Sequence, residues 1–472
     1  MDHLTSVRSA PSAIAPTGAS AATARRAAAT RRILEAPILP TIALLAAPNV
    51  VLVLVQTAVS VVETWLVGRL GTVSLAALAL VFPFVILMQM MSAGSMGGGV
   101  ASAVARALGA GDVARAEALI VHAMVIALGM ALGFTLIFGF GGPAIFRALG
   151  ADDGVLREAA RYALVVFGGA FAPWIANMLA SVVRGSGNMV VPSALLIGVA
   201  ALQIPMAAGF TLGLGPFPSL GLAGAGLAQI LAFGIGALGV LAYIASGRSG
   251  LRLRATKLRW PYFRDILKVG GIACISSLQA ALTVSVISGF VAGYGTAALA
   301  GYGIGTRLEF LQVPLIFAVG TTLVAMVGAN VGAGNWVRAR RIAWTGGLAA
   351  AALSAVIGLT TALLPDLWVG LFTDQPLVID TGSRYLRIVG PFYGFLGLGF
   401  ALYFASQGMV RVLGPVLAGT ARLAVIIAGG FFTVAHGMGV DGLFAVISLA
   451  MLVFGFGAAF AVYRIRPSKE NG

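Results

Sequence analysis

Two carboxylic acids stand inside long apolar runs of this sequence, and each is able to bind and release a proton or a cation. Glu63 lies in Val61-Val62-Glu63-Thr64-Trp65, toward one end of its run. A carboxyl there can be held neutral by its surroundings and ionise when water or a cation arrives. Protonation and binding of a charged molecule then compete for one group. Glu309 sits deeper, roughly 20 Å from the end of its run at 1.5 Å per helical residue. Arg307 is two residues away, so the two side chains face different sides of a helix and each needs its own partner. Arg422 has a similar depth and is a candidate counter-charge for Glu309. Charges at mid-bilayer cost at least a few kcal/mol, which makes these residues functional candidates.

Other chemistry is sparse. Gln56, Gln89, Asn177 and Gln203 have the polarity to line a cavity or to bond neighbouring helices. Met88, Met90, Met91 and Met96, with Phe82 and Phe84, offer an adaptable apolar surface. Gly94 and Gly98 form a small-xxx-small pair that permits close helix approach. His122 and His436 fall near helix ends, where an interfacial position is expected. No P-loop, His-Glu-x-x-His, Cys-x-x-Cys or Gly-x-Ser-x-Gly motif occurs. The usual parts of ATP hydrolysis, metal catalysis and nucleophilic catalysis are therefore missing, and no cofactor is expected. The one cysteine, Cys274, excludes an internal disulfide framework.

The elements that position these groups follow from composition. Hydrophobic residues make up 59% of the 472 residues and charged residues 10%. A soluble domain carries about a quarter charged residues, so this chain takes lipid as its solvent. Twelve apolar blocks reach the ~20 residues that a helix needs to cross the hydrocarbon. They run from 40–67 to 440–463, with the seventh at 264–291 and the tenth at 384–408. Placing the N-terminus in the cytosol puts 22 of the 30 basic residues on inside segments, Arg184 among them. That asymmetry is what membrane insertion requires, and it points to topology rather than to nucleic acid. Both ends are expected in the cytosol. Residues 1–36 read as a disordered cytosolic tail, a reading preferred over an organelle transit peptide.

The chain also repeats itself. Gly71-Thr72 before Leu75-Ala76 returns as Gly295-Thr296 before Leu299-Ala300, a shift of 224. Gly111-Asp112 before Arg115-Ala116 returns as Gly334-Asn335 before Arg338-Ala339, a shift of 223. The latter shift carries Gly185 onto Gly408 and Pro192 onto Pro415. Six spans per half relate the halves by an axis along the membrane normal, with a path between them. The expected division is an N-lobe at 37–246, a basic linker at 247–263, a C-lobe at 264–465 and a short tail at 466–472.

Val67-Gly68-Arg69-Leu70-Gly71, the run 327–335 before Arg338-Ala339, and Gln407-Gly408 before Pro415 resemble the multidrug and toxic compound extrusion (MATE) family. The likeness covers about residues 37–465 and is nearer the bacterial NorM and DinF branches. It implies an all-α membrane protein of twelve transmembrane helices in two pseudo-symmetric six-helix lobes, V-shaped about a central cavity. It implies export of amphipathic or cationic small molecules in exchange for H⁺ or Na⁺, in the inner membrane. Glu63 then stands where the family commonly has an aspartate. Gln203 and Ala207 replace an Asn and an Asp on the fifth span, and Gln279 replaces an acid on the seventh. A sodium cage in the C-lobe is thereby disfavoured, and proton coupling through Glu63 is expected. Glu309 is the second candidate coupling residue, and Arg307 and Gln279 are placed on the cavity wall. A monomer is expected, in contact with lipid, and no nucleic-acid partner. Two rival readings are a lipid-linked oligosaccharide flippase, which calls for several basic cavity residues, and a membrane-embedded transferase, which calls for clustered His, Asp or Glu.

Overall fold

The computed structural model describes residues 18–465. Helix α1 is Gly18–Glu35 and α2 is Ile38–Gly68. Next come α3 (Thr72–Gly109), α4 (Val113–Phe140), short α5 (Gly142–Ala148), α6 (Asp153–Gly168) and α7 (Phe171–Gly185). The first half closes with α8 (Val190–Leu212) and α9 (Leu222–Ala245). The second half holds α10 (Trp260–Ala292), α11 (Thr296–Gly332), α12 (Trp336–Leu363) and short α13 (Pro365–Val369), then α14 (Pro376–Gly408), α15 (Leu413–Ala435) and α16 (Gly439–Tyr463). Among the described residues eleven helices are long and apolar enough to cross a membrane, and α6 with α7, bent by 41°, make a twelfth when counted as one broken span. In lipid every backbone polar group must be satisfied within the protein, which is why helices carry the whole fold.

The repeat recurs in backbone detail. Gly71 and Gly295 precede equivalent helices at φ 107° and 102°. Gly111 and Gly334 adopt φ 77° and 76°. Just after them Asp112 accepts from the Arg115 amide at 2.9 Å, and Asn335 from the Arg338 amide at 3.3 Å. Each cap satisfies one orphan donor of the helix that follows. One position breaks the match. Gly187 takes φ 85° in the first half, whereas its counterpart Val410 is held at φ 58°. A β-branched residue is strained in that region.

Several boundaries differ from the sequence reading. Residues 18–35 are helical rather than disordered, and residues 1–17 lie outside the described ones. Alanine makes this segment a strong helix former, and tertiary contact fixes it. Ile33 is buried, its carbonyl accepts from Asn330 at 3.3 Å, and the Ala36 carbonyl accepts from Arg338. The seventh span begins at Trp260, with Pro261 in its first turn, as proline prefers. The tenth begins at Pro376 and turns through a tight segment at Gly390–Phe392. The link between the halves is docked on α4: Glu117 accepts from the Arg252 amide at 3.0 Å and pairs with Arg254 at 3.4 Å. His122, expected at an interface, is fully buried. Its Nδ1 meets the Ala118 carbonyl at 2.7 Å and its Nε2 accepts the Arg259 amide at 3.0 Å.

The halves meet through α2 and α3 on one side and α10, α11 and α14 on the other, with small residues at the contacts. A Cβ on Gly109 would lie 2.0 Å from the Ala329 carbonyl oxygen, and one on Gly332 would lie 2.0 Å from that of Arg106. These two contacts are repeat mates. Polar bonds stitch the same seam: Ser102 to the Gln407 carbonyl at 2.6 Å, Asn49 to Thr321 at 3.0 Å, and Ser95 to Ser277 at 2.8 Å. Arg106 and Arg115 both pair with Asp265 at the start of α10. All of these bonds fall at or beyond mid-span on the side carrying the Arg-rich ends.

Two outcomes are expected. Val410→Gly should relieve about 1 kcal/mol of strain and raise the unfolding midpoint in detergent; an unchanged or lower midpoint refutes the strain. In a Cys274→Ser background, the pair Ala105→Cys and Gly328→Cys should cross-link readily, because Cβ atoms at these positions lie about 3.1 Å apart. Adding Gly332→Val should lower that yield severalfold by forcing backbone off backbone. An unaltered yield would show that the seam does not depend on glycine.

Candidate transport site

Helix α2 carries Glu63 toward its end at Gly68, where α8 packs beside it. Gln203 of α8 donates from Nε2 to Glu63 Oε1 at 2.6 Å. Tyr162 of α6 stands within electrostatic range of the same carboxyl. Gln203 and Tyr162 are buried, while Glu63 keeps part of its surface accessible. Gln203 stabilises a negative charge by hydrogen bonding but brings no positive charge to balance it. A proton or another cation must therefore do so. No basic side chain pairs with Glu63 among the described residues.

A second polar group lies in the first half. Asn177 of α7 donates to Gln89 Oε1 at 3.1 Å and to Ser92 at 2.9 Å. Ser92 belongs to a π-helical stretch, Met90–Met96, within α3. Such widened turns recur at functional sites. The structure thus joins Glu63 with Gln203, and Gln89 with Asn177. Gln56 joins neither: it is exposed on α2.

In the second half Glu309 accepts a hydrogen bond from the Tyr385 hydroxyl of α14. Tyr302, Tyr393 and Arg422 surround the same carboxyl. Tyr385 is held edge-on by Tyr302 and Phe444, at 5.4 and 5.1 Å between ring centres. Arg422 lies over the Phe454 ring at 5.6 Å. Glu309 therefore differs from Glu63 in having a guanidinium in electrostatic range. Sequence spacing foresaw Arg422 but not the tyrosines, which read as ordinary aromatic residues on a span.

Two residues expected on the cavity wall make other contacts. Arg307 is exposed and lies over Phe372 at 4.9 Å, near the short helix α13, and not beside Glu309. Its charge escapes burial by lying along the aromatic ring. Gln279 donates to Thr420 at 2.7 Å and joins α10 to α15, a helix-packing use. Both acids find their hydrogen-bond partners within their own half of the protein.

That gap has its own lining. Met90, Phe317, Phe400, Tyr403 and Phe404 form an apolar wall, with Ser95 and Ser277 at its edge. Below it lies a narrow floor between Gly97 and Gly98 of α3, Ser181 and Arg184 of α7, and Thr321 of α11. Arg184 was counted with the basic segments outside the membrane core. The structure buries it, because a long side chain at a helix end can turn inward along its neighbour.

Comparison with known proteins matches this architecture. The MatE family profile matches twice, over residues 48–208 and 273–431, once in each half. The chain is 33% identical over 343 residues to the probable multidrug resistance protein NorM of Deinococcus radiodurans, covering 68% of this chain and 69% of that one. It is 23% identical over 445 residues to the FAD transporter of Shewanella oneidensis, covering 92% and 96%. Among solved structures, an outward-facing multidrug resistance MATE family transporter shares the fold at a TM-score of 0.81 and 23% identity, over 92% of this chain and 97% of that one. Transporter VcmN of Vibrio cholerae in its bent form does so at 0.78 and 22%, over 94% and 98%. With the family profile covering most of both halves and a relative 33% identical over two thirds of each chain, this chain belongs to the MATE family of multidrug transporters.

Proposed function

We propose that the chain is a secondary antiporter of the inner membrane, exporting amphipathic small molecules, organic cations among them, in exchange for protons. The observation that carries the reading is the contrast between its two intramembrane acids. Glu63 has a neutral donor, Gln203, and no basic partner among the described residues. Binding a proton balances its charge, and losing that proton leaves an anion able to attract a cation. Glu309 already faces Arg422, and no second carboxylate joins it among the described residues. A sodium ion held by several carboxylates is poorly served by that set.

The seam supplies the other half of an antiport cycle. Contact at the Arg-rich ends seals one side of the protein, and by the positive-inside argument that side is the cytosol. The gap beyond the seal then faces outward. Alternating access follows if the halves rock about the axis that relates them, breaking the Gly109 and Gly332 contacts to open the inner side. The likeness to the FAD transporter places a flavin dinucleotide on the panel of cargoes to test.

Efflux from cells and proteoliposomes making the wild type, Glu63→Gln and Glu309→Gln tests this reading. Glu63→Gln should lose ΔpH-driven export by about tenfold or more, at unchanged protein level. Glu309→Gln should weaken a charge-assisted hydrogen bond by about 1–3 kcal/mol, lowering stability, while surviving protein keeps its ΔpH dependence. Export by the wild type that follows a Na⁺ gradient and ignores ΔpH would overturn proton coupling. Normal export by Glu63→Gln would remove the coupling residue.

A further inference from the structure

One buried charge is used by neither carboxyl site. Arg184, at the end of α7, is 4% exposed, and its Nε and Nη1 are buried with no hydrogen-bond partner. Among the described residues no acidic side chain is near enough to act on it. The repeat shift of 223 carries Arg184 onto Gln407 at the end of α14. Gln407 is fully buried, and neither its Nε2 nor its Oε1 has a partner. Gly98 lines the floor that Arg184 lines, and a Cβ on Gly98 would lie 1.8 Å from Gln407 Oε1. The floor shares Gly94 and Phe404 with the apolar wall above it.

A guanidinium in a water-poor seam needs an anion, and it pairs best with the two oxygens of a carboxylate or phosphate. The Gln407 amide, packed against Gly98 of the floor, adds an N–H donor. Every other membrane-buried charge described above has a hydrogen-bond or electrostatic partner, whereas this one has none. We propose that the floor between the halves is a seat for the oxyanion end of an amphipathic cargo. Arg184 and the Gln407 amide hold the carboxylate or phosphate, and the cargo's apolar body rests on Phe317, Phe400 and Phe404. The seat rests on the exporter reading of the gap and adds to it a class of substrate, organic anions and zwitterions. The rival use of Arg184 is purely structural, as a space-filling side chain that any large polar residue replaces.

Purified full-length protein is titrated with 1-naphthylacetate, 1-naphthyl phosphate and 1-naphthylmethylammonium, following naphthalene fluorescence. The three probes share one apolar body and differ in the charged end. The wild type should bind at least one anion, and the preferred anion shows whether carboxylate or phosphate is the native fit. Arg184→Gln should weaken that binding about tenfold or more, Arg184→Lys about threefold, and neither should alter ammonium binding. Gln407→Glu provides a folded control, since its own carboxylate fills the seat and should abolish anion binding. Anion binding unchanged in both Arg184→Gln and Gln407→Glu overturns the seat. So does an equal loss of anion and cation binding in Arg184→Gln, or a wild type that binds neither anion. Flux into proteoliposomes separates the two readings. Arg184-dependent anion binding without ΔpH-driven flux of any probe keeps the seat and removes the exporter. Ammonium flux without anion binding keeps the exporter and removes the seat.

Discussion

A polar group in the hydrocarbon core has no water to fall back on, and its free energy is set by the partner the protein supplies. With charged residues at 10% of the chain, few ionisable groups lie there, and most of those named above have a neighbour that answers their charge. Glu63 has Gln203, Glu309 has Tyr385 and Arg422, and Asp265 has Arg106 and Arg115. The same constraint explains the seam. Two apolar halves in lipid gain nothing hydrophobic by touching, so their contact depends on close packing of small residues and on hydrogen bonds. Gly109 against Ala329 and Gly332 against Arg106 bring backbone onto backbone, and Ser102, Asn49 and Ser95 add the bonds. Such a contact is specific without being strong, which suits a surface that must part during a transport cycle.

The architecture was legible in the sequence because span length and basic-residue asymmetry are consequences of the bilayer rather than of packing. The repeat was legible because its signals are backbone signals. Glycines at positive φ and the Asp112 and Asn335 caps must recur wherever the turn recurs. Pairings within a half were partly legible: Glu63 and Gln203 were both singled out, as were Gln89 and Asn177, but only the fold shows which meets which. Helix α1 was missed because an Ala- and Arg-rich segment has the composition of a tail, and contacts through Ile33 and Ala36 decide its state.

Side-chain direction was the least legible property, and the arginines show why. Arg307 lies well inside a span by count, yet its guanidinium reaches the Phe372 ring on the surface. Arg184 lies at a span end by count, yet it turns into the seam. A long flexible side chain shifts its charge by several ångströms along the membrane normal, so sequence position fixes the Cα and leaves the charge free. His122 follows the same logic. Its place near a helix end says interface, but the docked link at Arg259 covers it.

The symmetry of the scaffold and the asymmetry of its chemistry belong to one argument. At the repeat shifts, Glu63 corresponds to Ile287, Glu309 to Ile86, and Arg184 to Gln407. Turns, caps and glycine contacts are duplicated, whereas no charged group of the candidate sites is. Rocking of two like halves requires only that the contacts at the seam be alike on both sides, and the Gly109 and Gly332 pair meets that condition. Coupling requires the opposite. If both halves carried the same titrating group, protonation would favour both equally and would give the motion no preference between them. Placing the unbalanced acid in the first half and the balanced one in the second lets a proton change the energy of one half alone. A duplicated frame with unduplicated charges is thus consistent with the proton-driven exchange proposed above, provided the proton binds the two conformations with different affinity.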